Sequence, residues 1–134
     1  MILIPFIPPR YSSARLGLAT LTCALLMVAL PADADAPVIQ GIRVEKEGMG
    51  WRFHVTVQHA DTGWDHYADG WEILDASGTV LATRTLHHPH VNEQPFTRSL
   101  GPIMLPDGTR EVFVRAHCSL GAEPNEPTRV DIGF

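Results

Sequence analysis

The segment Trp51-Arg-Phe-His-Val-Thr-Val-Gln-His59 alternates apolar and polar side chains along its whole length. Successive side chains of a β-strand point to opposite faces of the sheet, so this period of two places Trp51, Phe53, Val55 and Val57 on one face. An apolar face opposite a polar one is typical of a half-buried strand in an antiparallel sheet. This segment therefore predicts the fold class.

The same pattern recurs along the chain between short stretches rich in Gly, Pro and Asp. No convincing amphipathic helix, long linker or internal repeat interrupts it. Short strands at such regular spacing are typical of an all-β sandwich or barrel. We predict one antiparallel β-sandwich of about seven strands, with strands at 38–46, 51–59, 70–75, 79–87, 96–100, 111–118 and 128–134.

The first part of the chain has the pattern of an export signal. Arg10 and Arg15 precede an apolar run from Leu16 to Leu30, and small residues follow the run. The run suits a signal peptide and is short for a membrane span, which takes about 20 residues, so an uncleaved anchor helix is the less favoured alternative.

The small residues Ala32-Asp-Ala34 fit a cleavage site, and Ala34-Asp-Ala36 is the alternative. We favour cleavage after Ala34. The sequence thus predicts a signal peptide at 1–34, a sandwich domain at 35–134, and a secreted or periplasmic protein.

The net charge and the cysteine content limit the kinds of partner that are expected. The formal net charge is −5, and it becomes one unit more negative without residues 1–34. Such a balance argues against nucleic acid, and against an anionic membrane surface once the signal is removed. Cys23 lies inside the apolar run rather than at its end, so lipid attachment is not expected. Cys118 is then the single remaining thiol, expected to be buried and inert, with a disulfide-linked dimer as the alternative.

One part of the sequence resembles a known family. Residues Leu105-Pro-Asp-Gly-Thr-Arg-Glu-Val-Phe-Val-Arg-Ala-His-Cys-Ser-Leu-Gly121, followed by Glu123-Pro-Asn-Glu-Pro127, look like the E–F turn, F strand and G-strand entry of a fibronectin type III domain. Glu111 and Val112 lie where that family usually has a Tyr. The residues that carry the resemblance are 22 of the 100 residues of the predicted domain. The resemblance implies an immunoglobulin-like architecture without implying a function.

Strand direction gathers most of the histidines. If successive strands reverse, the second, fourth and sixth strands all run toward one end of the sandwich. Six of the seven His then lie at that end: His59, His66, His87, His88, His90 and His117. Loops on a rigid sandwich are common sites of function, so this end is the predicted site.

Imidazole is a good ligand for copper, zinc or nickel, and His88-Pro-His90 in an extended chain would present both rings on one side. We take His88 and His90 as the first two metal ligands. His66, His59 or His117 would supply the third, or else Asp65 or Glu93. The alternative is a set of exposed or hydrogen-bonded histidines that bind no metal.

Aromatic residues suggest a second kind of site. Trp51 and Trp71 are expected in the core, because they lie on predicted strands. Trp64 lies in a loop, where it is either an exposed anchor for a protein partner or a cover over the sandwich end. The candidate binding residues of these loops are Trp64, Asp65, His66, Tyr67, Asn92 and Glu93.

The sequence contains no nucleophile, phosphate-binding or dinucleotide-binding motif, so an enzyme is not expected. The leading hypothesis is an exported, non-enzymatic binding module that uses this His- and Trp-bearing end. One alternative is a periplasmic protein that binds or delivers copper, zinc or nickel. Another is association controlled by pH, because several histidines would gain charge together below about pH 6.5.

Overall fold

The computed structural model describes residue 9 and residues 35–133, and this part of the chain is all-β. It contains seven strands, as predicted: β1 (Val38–Glu47), β2 (Gly50–Gln58), β3 (Ala68–Leu74), β4 (Val80–Thr85), β5 (Phe96–Ile103), β6 (Glu111–Cys118) and β7 (Thr128–Asp131). The predicted signal peptide at 1–34 lies outside these residues apart from residue 9. Among the described residues, no helix is long and apolar enough to cross a membrane.

The strands form two antiparallel sheets. One sheet has the order β1-β2-β5, and the other has the order β4-β3-β6-β7. The alternating segments form strands inside these sheets: β2 lies between β1 and β5, and β6 lies between β3 and β7. In β6 the residues at even positions, from Val112 to Cys118, are buried, while those at odd positions are partly exposed. The alternation therefore predicts both the position of the strand and its inner face.

The core lies between the two sheets. Its fully buried side chains include Phe53, Val55 and Val57 of β2, Trp71 and Ile73 of β3, and Val112 and Val114 of β6. Full burial of one such side chain contributes about 1.5–3 kcal/mol. Trp71 is the core residue that we predicted.

Trp51 differs from its prediction in degree. It is only partly buried and packs at the margin of the core, with the Lys46 Nζ atom 4.6 Å from the ring centroid. The register between β2 and β5 shifts between Trp51 and Phe53. This irregularity falls at the start of the strand, where the alternation alone predicted an ordinary inner-face position.

Several strand ends also differ from the predicted ones. β3 begins at Ala68, two residues early, because it pairs with β6 as far as Cys118. β4 ends at Thr85, before the histidines of the following loop, and β5 extends to Ile103. Sequence periodicity cannot place these ends, because cross-strand pairing decides where a strand stops.

The ends of β2, β4 and β6 lie together, as strand reversal predicted. The loop after β2 contacts the loop after β4 through Asp61 and His90, and it contacts the end of β6 through Tyr67 and Ser119. We call this end of the sandwich the His pole. It comprises residue 35, the three loops 59–67, 86–95 and 119–127, and the adjoining strand residues Ala68–Gly70, His117 and Cys118.

Candidate functional site

A buried carboxylate, that of Asp61, connects the elements of the His pole. Its side chain is fully buried, and it accepts hydrogen bonds from His59 Nδ1 at 2.6 Å, the Ala68 backbone N–H at 2.9 Å and the His90 backbone N–H at 2.7 Å. Burial by itself raises the pKa of Asp61, but these bonds outweigh it, and the pKa lies below its usual value. The carboxylate is therefore ionised and joins the end of β2, the start of β3 and the loop after β4.

His59 is held on both sides of its ring. Nδ1 contacts Asp61 Oδ1, and Nε2 contacts the Asp35 carbonyl oxygen at 2.9 Å. Both oxygens are acceptors, so both hydrogen bonds form together only when the ring carries two protons. With two protons on the ring, His59 and Asp61 form a buried ion pair in which each charge offsets the other.

Next to this pair lies a cluster of three side chains of the types that can bind metal ions. One donor atom from each of His59, His66 and Cys118 lies within 4.8 Å of the other two. The rings of His59 and His66 meet edge to face, with centroids 4.6 Å apart. Cys118 is a free thiol and only 4% exposed, and His66 Nε2 is buried without a hydrogen-bond partner among the described residues.

The fold explains why these three residues meet. His59 directly follows β2, and Cys118 is the last residue of β6 and pairs with Ala68 of β3. His66 lies in the loop between β2 and β3, where it forms a short bridge with Gly63. Asp61 bonds to both His59 and Ala68, and thereby fixes the loop that carries His66. Imidazole nitrogen and thiolate sulfur are ligands of zinc and copper.

His88 and His90, the predicted first two ligands, also lie at the His pole, with ring centroids 4.5 Å apart. The His90 ring is buried and stacks on Phe96 at 3.9 Å. Its Nε2 lies 2.9 Å from an Arg98 NH2 group, which can only donate, so the lone pair of Nε2 is already used. His88 is exposed, and its Nδ1 contacts the Pro89 carbonyl oxygen at 3.1 Å.

The surroundings of His90 also keep it neutral. Burial lowers its pKa, and the nearby positive charge of Arg98 lowers it further. With Nε2 accepting from Arg98, the remaining proton lies on Nδ1. This atom is buried, has no hydrogen-bond partner in the part of the chain that the structure describes, and lies 4.0 Å from Asp61 Oδ2. His90 thus occupies a packing position in the arrangement that the structure shows.

The other predicted ligands are dispersed. His117 points to the opposite face of β6 from Cys118, and its Nδ1 contacts Asp69 Oδ1 at 2.5 Å. Its ring lies against Gly70, where an added Cβ would be 2.6 Å from Cε1. Glu93 forms an ion pair with Arg98 at 3.3 Å, and hydrogen bonds from that guanidinium lower the pKa of Glu93. The residues His87, Asn92 and Asp65 are exposed.

The sequence left two alternatives for Trp64, an exposed aromatic or a cover over the end of the sandwich, and in the structure Trp64 is exposed. It is 68% exposed and meets Tyr67 edge to face, with centroids 5.6 Å apart. The backbone of Tyr67 is fixed by Ser119, whose N–H donates to the Tyr67 carbonyl at 2.9 Å. The loop is thus anchored near Trp64 while the indole itself faces solvent.

Two residues of the site have roles that the sequence did not suggest. Asp61 was not singled out, although its place two residues after His59 is the spacing that lets an Asx side chain bond to its own loop. Cys118 was expected to be a buried thiol, which it is, but not a neighbour of two histidines. Only the pairing of β3 with β6 brings it to the loop after β2.

Comparison with known proteins gives one partial likeness. The chain is 44% identical over 83 residues to a protein named "Putative lipoprotein" from Halomicrobium mukohataei, and the match covers 62% of this chain. The chain spans 40% of the length of that relative. No protein-family profile matches the chain, and no solved structure matches it.

Proposed function

We propose that this chain is an exported, non-enzymatic domain that binds a transition-metal ion, copper or zinc, through His59, His66 and Cys118. The observation that carries the proposal is the convergence of one donor atom from each residue to within 4.8 Å, where the buried Nε2 atom of His66 has no hydrogen-bond partner within residues 35–133. Buried polar atoms are nearly always paired. A ligand for His66 Nε2 would explain this exception.

The donor types of the site suit a transition-metal ion. Such an ion binds the thiolate form of cysteine and the neutral form of histidine, so metal binding at His59, His66 and Cys118 is expected to weaken as the pH falls.

Asp61 has the place of a supporting residue in this proposal. Metal-binding histidines almost always donate their second ring N–H to a carboxylate, a carbonyl or water, and this contact orients the ring. Asp61 already makes such a contact with His59 at 2.6 Å. In the proposed complex, one nitrogen of His59 stays with Asp61 and the other binds the metal.

Export rests on two independent observations. The basic, apolar and small-residue segments at 1–34 have the order of a signal peptide, and the partly matching relative carries the name of a lipoprotein. We propose a location outside the cytoplasm, secreted or periplasmic. Immunoglobulin-like architecture, suggested by the resemblance of residues 105–127 to fibronectin type III domains, is part of the same proposal.

The test is a calorimetric titration of the purified, exported chain with Zn(II) and Cu(II). We expect one ion per chain, and at least a tenfold loss of affinity in Cys118→Ser and in His66→Ala. His87→Ala removes an exposed imidazole of the same end and serves as the matched control. Equal affinity in all four proteins would refute the site. Loss only in a His88→Ala/His90→Ala double variant would return the site to those two residues.

A second candidate function is recognition of a protein partner through Trp64. Exposed Trp residues are over-represented among the residues that dominate interface energies, and Trp64 is the most exposed aromatic of the described residues. This proposal expects a partner that co-purifies with the wild-type chain and is lost in Trp64→Ala. Retention of the partner by Trp64→Ala, with Zn(II) affinity unchanged, would contradict it. Association controlled by pH stays a prediction.

A further inference from the structure

The proposed metal site has fewer strong donors than a structural zinc site usually has. Structural zinc sites almost always have four protein ligands, whereas this cluster contains three: two imidazoles and one thiol. Among residues 35–133, no fourth His, Cys, Asp or Glu shares the same 4.8 Å cluster. Asp61 is close by, but its oxygens are already held by His59, Ala68 and His90.

Two imidazoles and a thiolate in a trigonal arrangement, with at most a weak and distant fourth ligand, are the donor set of copper sites that transfer electrons. The weak ligand in such sites is a Met sulfur, an amide oxygen or a backbone carbonyl oxygen. The described methionines, Met49 and Met104, are exposed in the loops at the other end of the sandwich. The backbone carbonyl oxygen of Asp35 is the candidate for the weak ligand, because it lies close to the cluster, 2.9 Å from His59 Nε2.

We infer that the site is a copper centre that carries one electron at a time, with Cys118 as its thiolate ligand. This inference rests on the proposed metal site and specifies its ion and its chemistry. In the reaction, Cu(II) bound to the thiolate accepts one electron and becomes Cu(I), and it returns that electron in the reverse step. No bond to the protein forms or breaks, and no proton moves. The electron comes from and goes to other one-electron carriers, such as haem or copper proteins.

The surroundings of the cluster fit this chemistry. His59 and Cys118 are each 4% exposed, so solvent and large oxidants have little access to the thiolate. The antiparallel strands and the Asp61 hydrogen bonds hold the donors, so that the ligands need not move when the charge of the copper changes. Rigid, water-poor surroundings lower the cost of reorganisation during electron transfer.

The rim of the His pole offers a place for the carrier to dock. Each of its three loops exposes a large apolar side chain: Trp64, Val91 and Leu120. Redox partners associate through small, short-lived interfaces, for which a few apolar side chains are sufficient. The exposed aromatic of the pole is thereby assigned to the same function as the metal cluster.

In the test, one equivalent of Cu(II) is added to the purified, exported chain, and the visible and electron paramagnetic resonance spectra are recorded. A thiolate bound to Cu(II) produces an intense visible charge-transfer band and narrow hyperfine splitting. We expect both signals, bleaching by ascorbate, and recovery with ferricyanide. Affinity alone does not decide, because nearly every site with N, O or S ligands binds copper more tightly than zinc.

The variants separate the possible outcomes. Cys118→Ser should abolish the charge-transfer band, His66→Ala should shift or broaden the signals, and His87→Ala should leave them intact; circular dichroism checks that each variant is folded. If Cu(II) binds without a thiolate band, or oxidises Cys118 to an intermolecular disulfide, the electron-transfer inference is wrong while the metal site can still stand. If neither Cu(II) nor Zn(II) binds, both proposals are wrong.

Discussion

Two pairs of histidines lie at the same end of the sandwich, and they differ in what their ring nitrogens face. In the pair His88 and His90, the Nε2 atom of His90 accepts from Arg98 and its ring stacks on Phe96. In the pair His59 and His66, the Nε2 atom of His66 is buried without a hydrogen-bond partner among the described residues, and one ring nitrogen of each histidine lies within 4.8 Å of the Cys118 sulfur. His90 of the first pair is used in packing, whereas His66 of the second pair has a ring nitrogen left to bind a ligand.

The comparison shows that spacing along the chain is a poor guide to a metal site. His88-Pro-His90 has the local pattern of a chelating pair, yet tertiary contacts use the lone pair that a metal needs. His66 and Cys118 are 52 positions apart in the numbering, and they meet because β3 and β6 are hydrogen-bonded neighbours. The contacts of the individual ring nitrogens, rather than proximity in sequence, distinguish His90 from His66.

The largest expected effect comes from Asp61, which bonds to residues of both pairs. Asp61→Ala leaves the buried Nδ1 of His59 and two backbone N–H groups without their acceptor. Removing one partner of a buried ion pair costs about 3–5 kcal/mol, and we expect a loss of that size in the free energy of unfolding measured with urea on the metal-free protein.

The control for this prediction is Asp65→Ala, which removes an exposed carboxylate of the same loop and should change stability by no more than about 0.5 kcal/mol. Asp61→Asn keeps one side-chain oxygen, which suffices for one of the two backbone N–H groups, because Ala68 and His90 donate to different oxygens of Asp61. It should therefore be less destabilising than Asp61→Ala. Its affinity for Zn(II) should still fall by about 10–100-fold, as for other residues that orient a ligand. Similar unfolding curves for Asp61→Ala and the wild type would contradict the central role of this carboxylate.

A smaller effect, and a direct test of the comparison, is expected at His90. His90→Ala removes a buried ring that stacks on Phe96, so we expect a loss of about 2–3 kcal/mol, similar to other large-to-small core changes. The affinity for Zn(II) should stay within about threefold of the wild-type value, since the ring contributes packing and not a ligand; threefold corresponds to about 0.65 kcal/mol. Thermal unfolding and calorimetry measure the two quantities. A variant that keeps its stability but loses metal binding would reverse the roles of the two pairs.

The smallest expected effect is a dependence on pH. Folding lowers the pKa of His90 below its usual 6.5. Just below pH 6.5, His90 therefore binds a proton in the unfolded chain but stays neutral in the folded chain. The contribution of His90 to stability is therefore complete above pH 6.5 and decreases as the pH falls toward its folded pKa, at no more than about 1.4 kcal/mol per pH unit. In His90→Gln this part of the slope should disappear, whereas it should persist in His87→Gln. Identical slopes in the three proteins would contradict it.

Asp61 contributes in a lower range of pH. Its folded pKa also lies below the usual value, so the stability that it provides is present above about pH 4 and is lost only as the pH falls further. The two ranges are separate, and each variant can be compared with the wild type in its own range.

Much of the fold was predictable from residues that act through local periodicity. The alternation in β2 and β6 predicted their inner faces, including the buried Cys118. The place of Trp71 on a predicted strand correctly put it in the core. The ends of β3 and β4 were misplaced by up to two residues, because pairing partners set those ends. At the site, reversal of successive strands correctly brought His59, His66 and His90 to one end. The resemblance to fibronectin type III domains and the export signal stay predictions.

By itself the sequence determined the all-β class, the number of strands and the end of the sandwich that gathers the histidines. Each of these follows from a period of two and from the positions of turn residues, which act over a few neighbours along the chain. Only the tertiary structure decided that Arg98 donates a hydrogen bond to Nε2 of His90, that Asp61 accepts one from His59, and that Cys118 lies beside His66. Those contacts join residues from separate strands, and the state of a lone pair depends on the atom that faces it, whatever its distance along the chain.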